Sequence, residues 1–482
     1  MSARPQRDTT FAEPSRFDRF GSSDTIDPAG LVAFRVMYGL LAAFSAIRFV
    51  ANGWVERFFG EPTFFFRFWG FEWVPVPSVA GVYALFAVMA VAGVCVALGY
   101  RYRLALVVHL VCFAWVELID VTNYLNHYHL FLLLGVIALF LPLHRSTSLD
   151  VRHGRVTALS RFPRRWARAL QLQVGLVYVF AGLAKANTDW LVHAQPLNIW
   201  LSSRQDFPVL GPLFGHFEVA LFFSWAGFLH DLLVPFLLLW RKTVWFAFAA
   251  LCVFHFTTHL LFDIGLFPLI MTMAATTFLP PDWPRRVGRF FRRPASDIST
   301  TETLDPRAIR PKQWIYRVAA VFFAVQLLMP LRAHLYGGDV NWHEQGMRWS
   351  WRVMVREKNG SVLYRVKLAG RDGELHVTPS RYLTSHQERE MSGQPDLILQ
   401  LAHHIADDFR LRGHQDVEVR VDALVSHNGR PMAALIDPTV DLAKVSDGLA
   451  KADWILDRAD VPPVRLRPAR LESARADAPK ND

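Results

Sequence analysis

The chain has 482 residues, 52% of them hydrophobic and only 20% charged, with a mean hydropathy of +0.19. That balance is shifted toward lipid relative to soluble domains and excludes disordered, collagen-like and disulfide-scaffold classes. The formal charge of +10 is the excess expected of cytoplasmic loops in a polytopic membrane protein. With no basic domain and no aromatic RNA-binding motif, a nucleic-acid partner is not expected.

Residues 1–29 are polar and lack a cleavable signal peptide. The first apolar block therefore directs insertion. Nine apolar segments follow, at about 30–50, 79–99, 104–119, 128–144, 169–188, 219–240, 244–262, 264–281 and 314–332. Each approaches the roughly 20 residues that cross a bilayer. The third, fourth and eighth are short enough for one to be re-entrant. Cys95, Cys112 and Cys252 all lie in apolar blocks without CxxC spacing, which supports neither a zinc site nor a disulfide framework.

With a cytoplasmic N-terminus, the inside loops carry 23 Lys and Arg and the outside loops 3. This asymmetry supports the orientation and the number of segments together. An odd number of crossings places residues 333–482 outside, in bacteria beyond the inner membrane. There, Val362–Leu368 and Glu374–Val377 read as one β-hairpin, and Val417–Ile436 as a second that turns at His427-Asn428-Gly429-Arg430. A helix is expected within 383–412, ending near Gly413. The predicted fold is a polytopic α-helical membrane protein with a C-terminal extracytoplasmic α+β domain. Its divisions are a cytoplasmic segment 1–29, a membrane domain 30–332, an outer domain 333–462 and a disordered tail 463–482. No internal repeat is present.

Lys185 ends an apolar helix, and a lysine deep in a bilayer costs about 2.5–3.5 kcal/mol. It either snorkels to the interface or stays buried as a neutral amine competent as a base. Asn126-His127-Tyr128-His129 opens the fourth segment. Its two histidines do not share a helix face, so an interfacial hydrogen-bonding role competes with a functional one. His255 and His259 have metal-compatible i, i+4 spacing, but no third ligand is evident and no metal is expected. Asp231 is a carboxylate inside the sixth segment, expected to face the bundle interior. Trp342, Trp349 and Trp351 form either an interfacial belt or the wall of an apolar pocket. Together these residues describe an outward-facing polar site among apolar helices, suited to a lipid-soluble ligand meeting a water-borne one.

Ala181-Gly182-Leu183-Ala184-Lys185-Ala186-Asn187-Thr188-Asp189-Trp190 resembles the vitamin K-dependent gamma-glutamyl carboxylases, whose bacterial members are known as HTTM-domain proteins. The resemblance extends in order over about residues 25–445. It takes in Asp27-Pro28-Ala29-Gly30-Leu31 with Phe34-Arg35, Asn126-His127, Phe254-His255 and Leu261–Phe267. It continues through Gln326-Leu327, Pro330, Asn341-Trp342, Trp349–Val355, Val425–Arg430 and Ile436–Asp441.

The resemblance implies an enzyme that oxidises reduced vitamin K (phylloquinol or menaquinol) with O2 to the 2,3-epoxide. The base so generated removes a γ-proton from a peptide glutamate, and CO2 adds to give γ-carboxyglutamate. Lys185 matches the lysine that deprotonates the hydroquinone, and His127 and Asn126 match residues close to the reacting groups. Trp349, Ser350, Trp351 and Met354 match the glutamate-and-quinone segment, and Trp342 and His255 lie in blocks assigned with it to substrate binding. Arg430 matches an outer-domain arginine expected near the peptide, and Arg204 an outer-loop arginine. The implied partners are a glutamate-containing peptide on the outer face and membrane lipid.

The chain departs from the animal enzymes at Gly346-Met347-Arg348 and at Ala184, and lacks paired outer cysteines. With its shorter outer tail, propeptide recognition of the animal kind is not expected. The altered 346–348 stretch motivates a quinol epoxidase without carboxylation as an alternative. A non-enzymatic lipid-binding or transport protein is another, although transporters usually show repeat halves.

Overall fold

The computed structural model describes residues 25–291 and 313–465. Most of the N-terminal segment, the stretch 292–312 and most of the expected tail lie outside the described residues. The helices are α1 (Ala29–Ala51), α2 (Val79–Leu98), α3 (Tyr102–Ile119), α4 (Asn126–Phe140) and α5 (Arg164–Lys185). They continue as α6 (Phe217–Leu239), α7 (Val244–Leu261), α8 (Phe267–Ala275), α9 (Trp283–Phe291) and α10 (Gln313–Leu331). Among the described residues, seven are long and apolar enough to cross a membrane, and α4 and α8 are shorter apolar helices. The third segment is not short, since α3 runs for 18 residues.

Neither short helix turns back on itself. At the start of α4, Tyr124 hydrogen-bonds to Trp349 near the C-terminal domain. Beyond its end, the backbone at Leu143 and Thr147 meets the opposite end of the bundle. There the buried Arg35 guanidinium donates to the carbonyls of Leu143 (3.1 Å), Thr147 (2.9 Å) and Ala97 (3.2 Å). Ala97 lies in the last turn of α2, where carbonyls lack intrahelical partners, and Leu143 and Thr147 lie in the loop beyond α4. Likewise, α8 starts beside His127 and His255, and the chain after it returns to α1, where Gly30 N–H donates to Pro281 at 2.8 Å.

Small residues set the helix spacing, as membrane packing requires. Gly39 of α1 and Gly93 of α2 face each other so closely that a Cβ on Gly39 would lie 2.4 Å from Ala97 N and 2.5 Å from Gly93 O. Gly182 does the same between α5 and α6, where an added Cβ would meet Leu232 N at 3.0 Å.

The C-terminal domain is an antiparallel sheet of β1 (Lys358–Leu368), β2 (Leu375–Val377), β3 (Val417–His427) and β4 (Ala433–Ala434), in the order β2-β1-β3-β4. Both expected hairpins are present. Val417, Val419, Val421, Ala423 and Val425 alternate inward along β3, the period-2 pattern of a half-buried strand. The single helix expected within 383–412 is instead two, α11 (Ser385–Met391) and α12 (Pro395–Leu411). Thr384 and Gln387 form a capping box at the start of α11, and Pro395 opens α12. The break at Ser392 packs on β1, where a Cβ on Gly360 would lie 2.4 Å from the Ser392 carbonyl oxygen.

This domain is seated on the loops at one end of the bundle. Phe66 and Phe68 insert into its core. The Gln400 amide accepts from Arg67 N (2.9 Å) and donates to Arg67 O (3.0 Å), while Gln387 donates to Asp120 (2.8 Å) and Phe64 O (2.8 Å).

Gly39→Val should force α1 and α2 apart and lower stability by about 1–3 kcal/mol. A depressed melting point in detergent, relative to wild type, checks this. An unchanged melting point would mean that this crossing does not limit stability.

Candidate functional site

Lys185 is the last residue of α5, and its side chain turns into protein rather than toward the membrane boundary. Nζ donates to Asp231 Oδ2 of α6 at 2.8 Å, to Ala181 O at 3.3 Å and to Val353 O at 3.4 Å. The ammonium also lies 5.2 Å from the Trp190 ring centroid, within cation–π range. Both partners of the ion pair are buried, with 6% and 9% side-chain exposure. The snorkelling alternative does not describe this geometry. Nor is the amine alone among apolar groups: the structure supplies a carboxylate that sequence spacing did not connect to it.

Asp231 is itself positioned. Its Oδ1 is 3.1 Å from His230 Nδ1, and the His230 ring stacks on Phe254 at 3.8 Å. Two turns before Lys185 on α5, Tyr178 OH lies 2.8 Å from His255 Nε2. His255 is buried, whereas His259 is exposed.

A second cluster adjoins the first through Phe267, whose ring lies 5.9 Å from His127 and 5.4 Å from His255. His127 is buried, and its Nε2 has no hydrogen-bond partner among the described residues. Beside it, Asn126 Oδ1 accepts from Tyr124 OH at 3.0 Å, and that hydroxyl accepts from Trp349 N–H at 3.1 Å. His129 sits 6.0 Å from the Trp349 ring and 5.3 Å from the Trp351 ring.

The segment over both clusters is strained. Trp349, Trp351 and Met354 have φ of 62°, 59° and 56°, a left-handed conformation that bulky residues adopt rarely, at about 1–3 kcal/mol each. The rings hold it in place: Trp349 stacks on Phe68 at 5.7 Å, and Trp351 is buried. The Ser350 hydroxyl donates to the Met347 carbonyl. Arg332 lies over the Trp349 ring and donates to Arg348 O at 2.6 Å. Arg348 in turn bonds Asp396 of α12 and Gln394, which precedes that helix.

Three predicted residues lie around these clusters and are engaged elsewhere. Trp342 is in the core of the C-terminal domain and donates to Leu456 O at 2.7 Å. Arg204 donates to Leu261 O at 3.0 Å, at the end of α7. Arg430 grips Asp189, four residues beyond Lys185, through both terminal nitrogens at 2.8 and 2.6 Å. Asn428 adds a bond to the same carboxylate at 3.0 Å. Tyr178, His230, Tyr124 and Arg332 were not singled out from sequence. The i, i+7 spacing of Tyr178 and Lys185 was the one available signal.

Asp189, Asp339 and His427 place potential metal-ligand atoms within 4.8 Å of one another. Guanidiniums already hold both carboxylates, since Arg430 binds Asp189 and Arg458 binds Asp339 at 3.0 Å. Burial favours neutral Asp189, but the Arg430 and Asn428 hydrogen bonds and the Arg458 charge hold it below the usual carboxylate range. Burial, then the nearby Lys358 charge, pushes the His427 imidazole down to about 3.

Removing one partner of such a pair strands the other. Arg430→Gln should destabilise by about 3 kcal/mol, the low end for a broken buried pair because Arg458 remains near Asp189. Adding Asp189→Asn should recover part of the loss, which melting of the single and double variants measures. A depressed histidine contributes stability that is fully present above its unfolded value near 6.5 and is lost as pH falls toward its folded value of about 3. The melting point should therefore fall between pH 7 and 5. His427→Leu should flatten that slope, and an unaltered slope would show that His427 does not carry it.

The family model of the HTTM domain matches residues 24–283, and that of the vitamin K-dependent gamma-carboxylase lumenal domain matches residues 311–460. No solved structure matches the chain. The two matches are consecutive, and together they cover the helical bundle and the domain seated on it. The chain belongs to the vitamin K-dependent gamma-carboxylase family.

Proposed function

We propose that this protein carboxylates glutamate in a peptide substrate and couples that step to oxygenation of reduced vitamin K. The observation that carries the reading is the buried Lys185–Asp231 pair beneath the strained 349–354 segment, in a chain of this family. Bound at such a site, reduced vitamin K and O2 supply the strong base that a glutamate γ-proton requires, and CO2 completes the product.

The residues present fit a planar, hydrogen-bonding, apolar ligand. His127 Nε2 and His255 Nδ1 are buried without partners among the described residues, and the rings of Phe267 and Tyr128 pack against His127. Lys185 acts as the base toward the hydroquinone hydroxyl. To take a proton the ammonium must first release one. Asp231, at 2.8 Å and backed by His230, is the group placed to receive it. Asn126 has its amide oxygen occupied by Tyr124, which leaves its NH2 to donate toward developing negative charge alongside His127. Trp349, Ser350, Trp351 and Met354 enclose the site and keep water out. Trp342, Arg204 and Arg430 hold the frame around it. The C-terminal domain and the peptide face the extracytoplasmic side of a bacterial inner membrane, with the N-terminus cytoplasmic.

One observation favours epoxidation without carboxylation: the divergent Arg348 is bonded to Asp396 and Gln394 rather than left facing a substrate. The test follows epoxide and peptide-bound label together, in detergent-purified protein given reduced vitamin K, O2, labelled bicarbonate and a short Glu peptide. Both products are expected, and Lys185→Ala should lower both rates at least about 100-fold. Epoxide without label would leave the epoxidase. An undiminished epoxide rate in Lys185→Ala would overturn the base assignment. Asp231→Asn should depress kcat with KM little changed, as befits a group acting through Lys185.

A further inference from the structure

At the end of the bundle opposite the C-terminal domain, an open cavity of about 660 Å3 lies between the start of α5, the α6–α7 turn and the chain following α8. Arg164, Arg168, Arg241, Lys242 and Arg286 line it, with no Asp or Glu among the described lining residues. Arg286 is paired with Asp282 at 2.8 Å. Among the described residues, Arg168 reaches the neutral Gln171 amide at 3.5 Å, and Arg168 and the exposed Arg241 and Lys242 have no carboxylate partner there. Apart from Gln171, Thr276 and Thr277, the remaining wall is apolar. Leu239, Trp240 and Trp245 are all exposed, where a bilayer would cover them, and the two tryptophans stand at the helix ends as interfacial anchors do. The floor is fixed by Gln171, which donates to Thr277 O at 2.8 Å and so ties α5 to the end of α8.

We infer that this cavity binds an anionic phospholipid. Its phosphate ester would lie among Arg168, Arg241 and Lys242, and its acyl chains along Leu239 and Trp245. A ring of cations between membrane helices matches a phosphate headgroup, and guanidinium suits phosphate oxygens in particular. A free phosphate ion shares the headgroup chemistry but has no use for the apolar wall. The site is separate from the Lys185 clusters, at the other end of the same helices, so its occupancy does not depend on the catalytic reading.

The experiment titrates detergent-purified full-length protein with phosphatidylglycerol, phosphatidylcholine and inorganic phosphate. Native mass spectrometry counts bound lipid, and thermal melting follows stabilisation. Phosphatidylglycerol should bind at least tenfold more tightly than phosphatidylcholine, and raised salt should weaken it. Arg168→Gln/Arg241→Gln/Lys242→Gln should abolish that preference while melting as wild type does without lipid. These side chains are exposed, so the lipid-free melting point verifies the fold. Equal affinity for the two lipids, or undiminished phosphatidylglycerol binding by the triple variant, would overturn the proposal. So would phosphate alone stabilising as much as phosphatidylglycerol, which would identify a soluble anion as the occupant.

Discussion

A buried ammonium within an apolar bundle is sustainable only beside a buried counter-charge, and Lys185 with Asp231 meets that condition at 2.8 Å. Much of the surrounding structure follows from keeping this pair dry and in register. Gly182 lets α5 approach α6 closely enough for the two side chains to meet. His230 occupies the second carboxylate oxygen, and Trp190 covers the amine. The third direction from Nζ is taken by the Val353 carbonyl, which joins the pair to the segment above it. Every charged atom thus has a protein partner, yet the pair lies against neighbouring buried histidine nitrogens that have none.

The C-terminal domain must hold its position over that pair to within a fraction of an ångström for the contacts to persist, and it is tied down on two sides. On one side, Gln387 and Gln400 bond to Asp120 and to the backbone of residues 64 and 67. On the other, Arg430 and Asn428 close on Asp189. Asp189 lies four residues past Lys185 in the chain, so the clamp that seats the domain acts just beyond the helix that carries the amine.

The sequence was most informative where one physical quantity dominates. Apolar length located the nine segments to within about six residues at each end, and alternation located both hairpins. Asp231 was visible as a carboxylate in an apolar helix, and Lys185 as an amine at the end of another. Their pairing was not, because 46 residues separate them and only helix packing brings them together. The break between α11 and α12, by contrast, has its signal in Gly393 and Pro395, which punctuate the run expected to form one helix. Tyr124 and Arg332 had no signal: each acts through the backbone of residues 348–349. Left-handed backbone at Trp349, Trp351 and Met354 runs against what those side chains prefer and is invisible until the fold imposes it.

That imposed strain is informative in its own right. Three bulky residues with positive φ within six positions persist only if the surroundings over-determine them. The surroundings do so by stacking Trp349 on Phe68, burying Trp351 and anchoring Arg348 to α12. The Val353 carbonyl of this segment accepts from Nζ at 3.4 Å, so the strained backbone and the buried Lys185–Asp231 pair meet at one hydrogen bond.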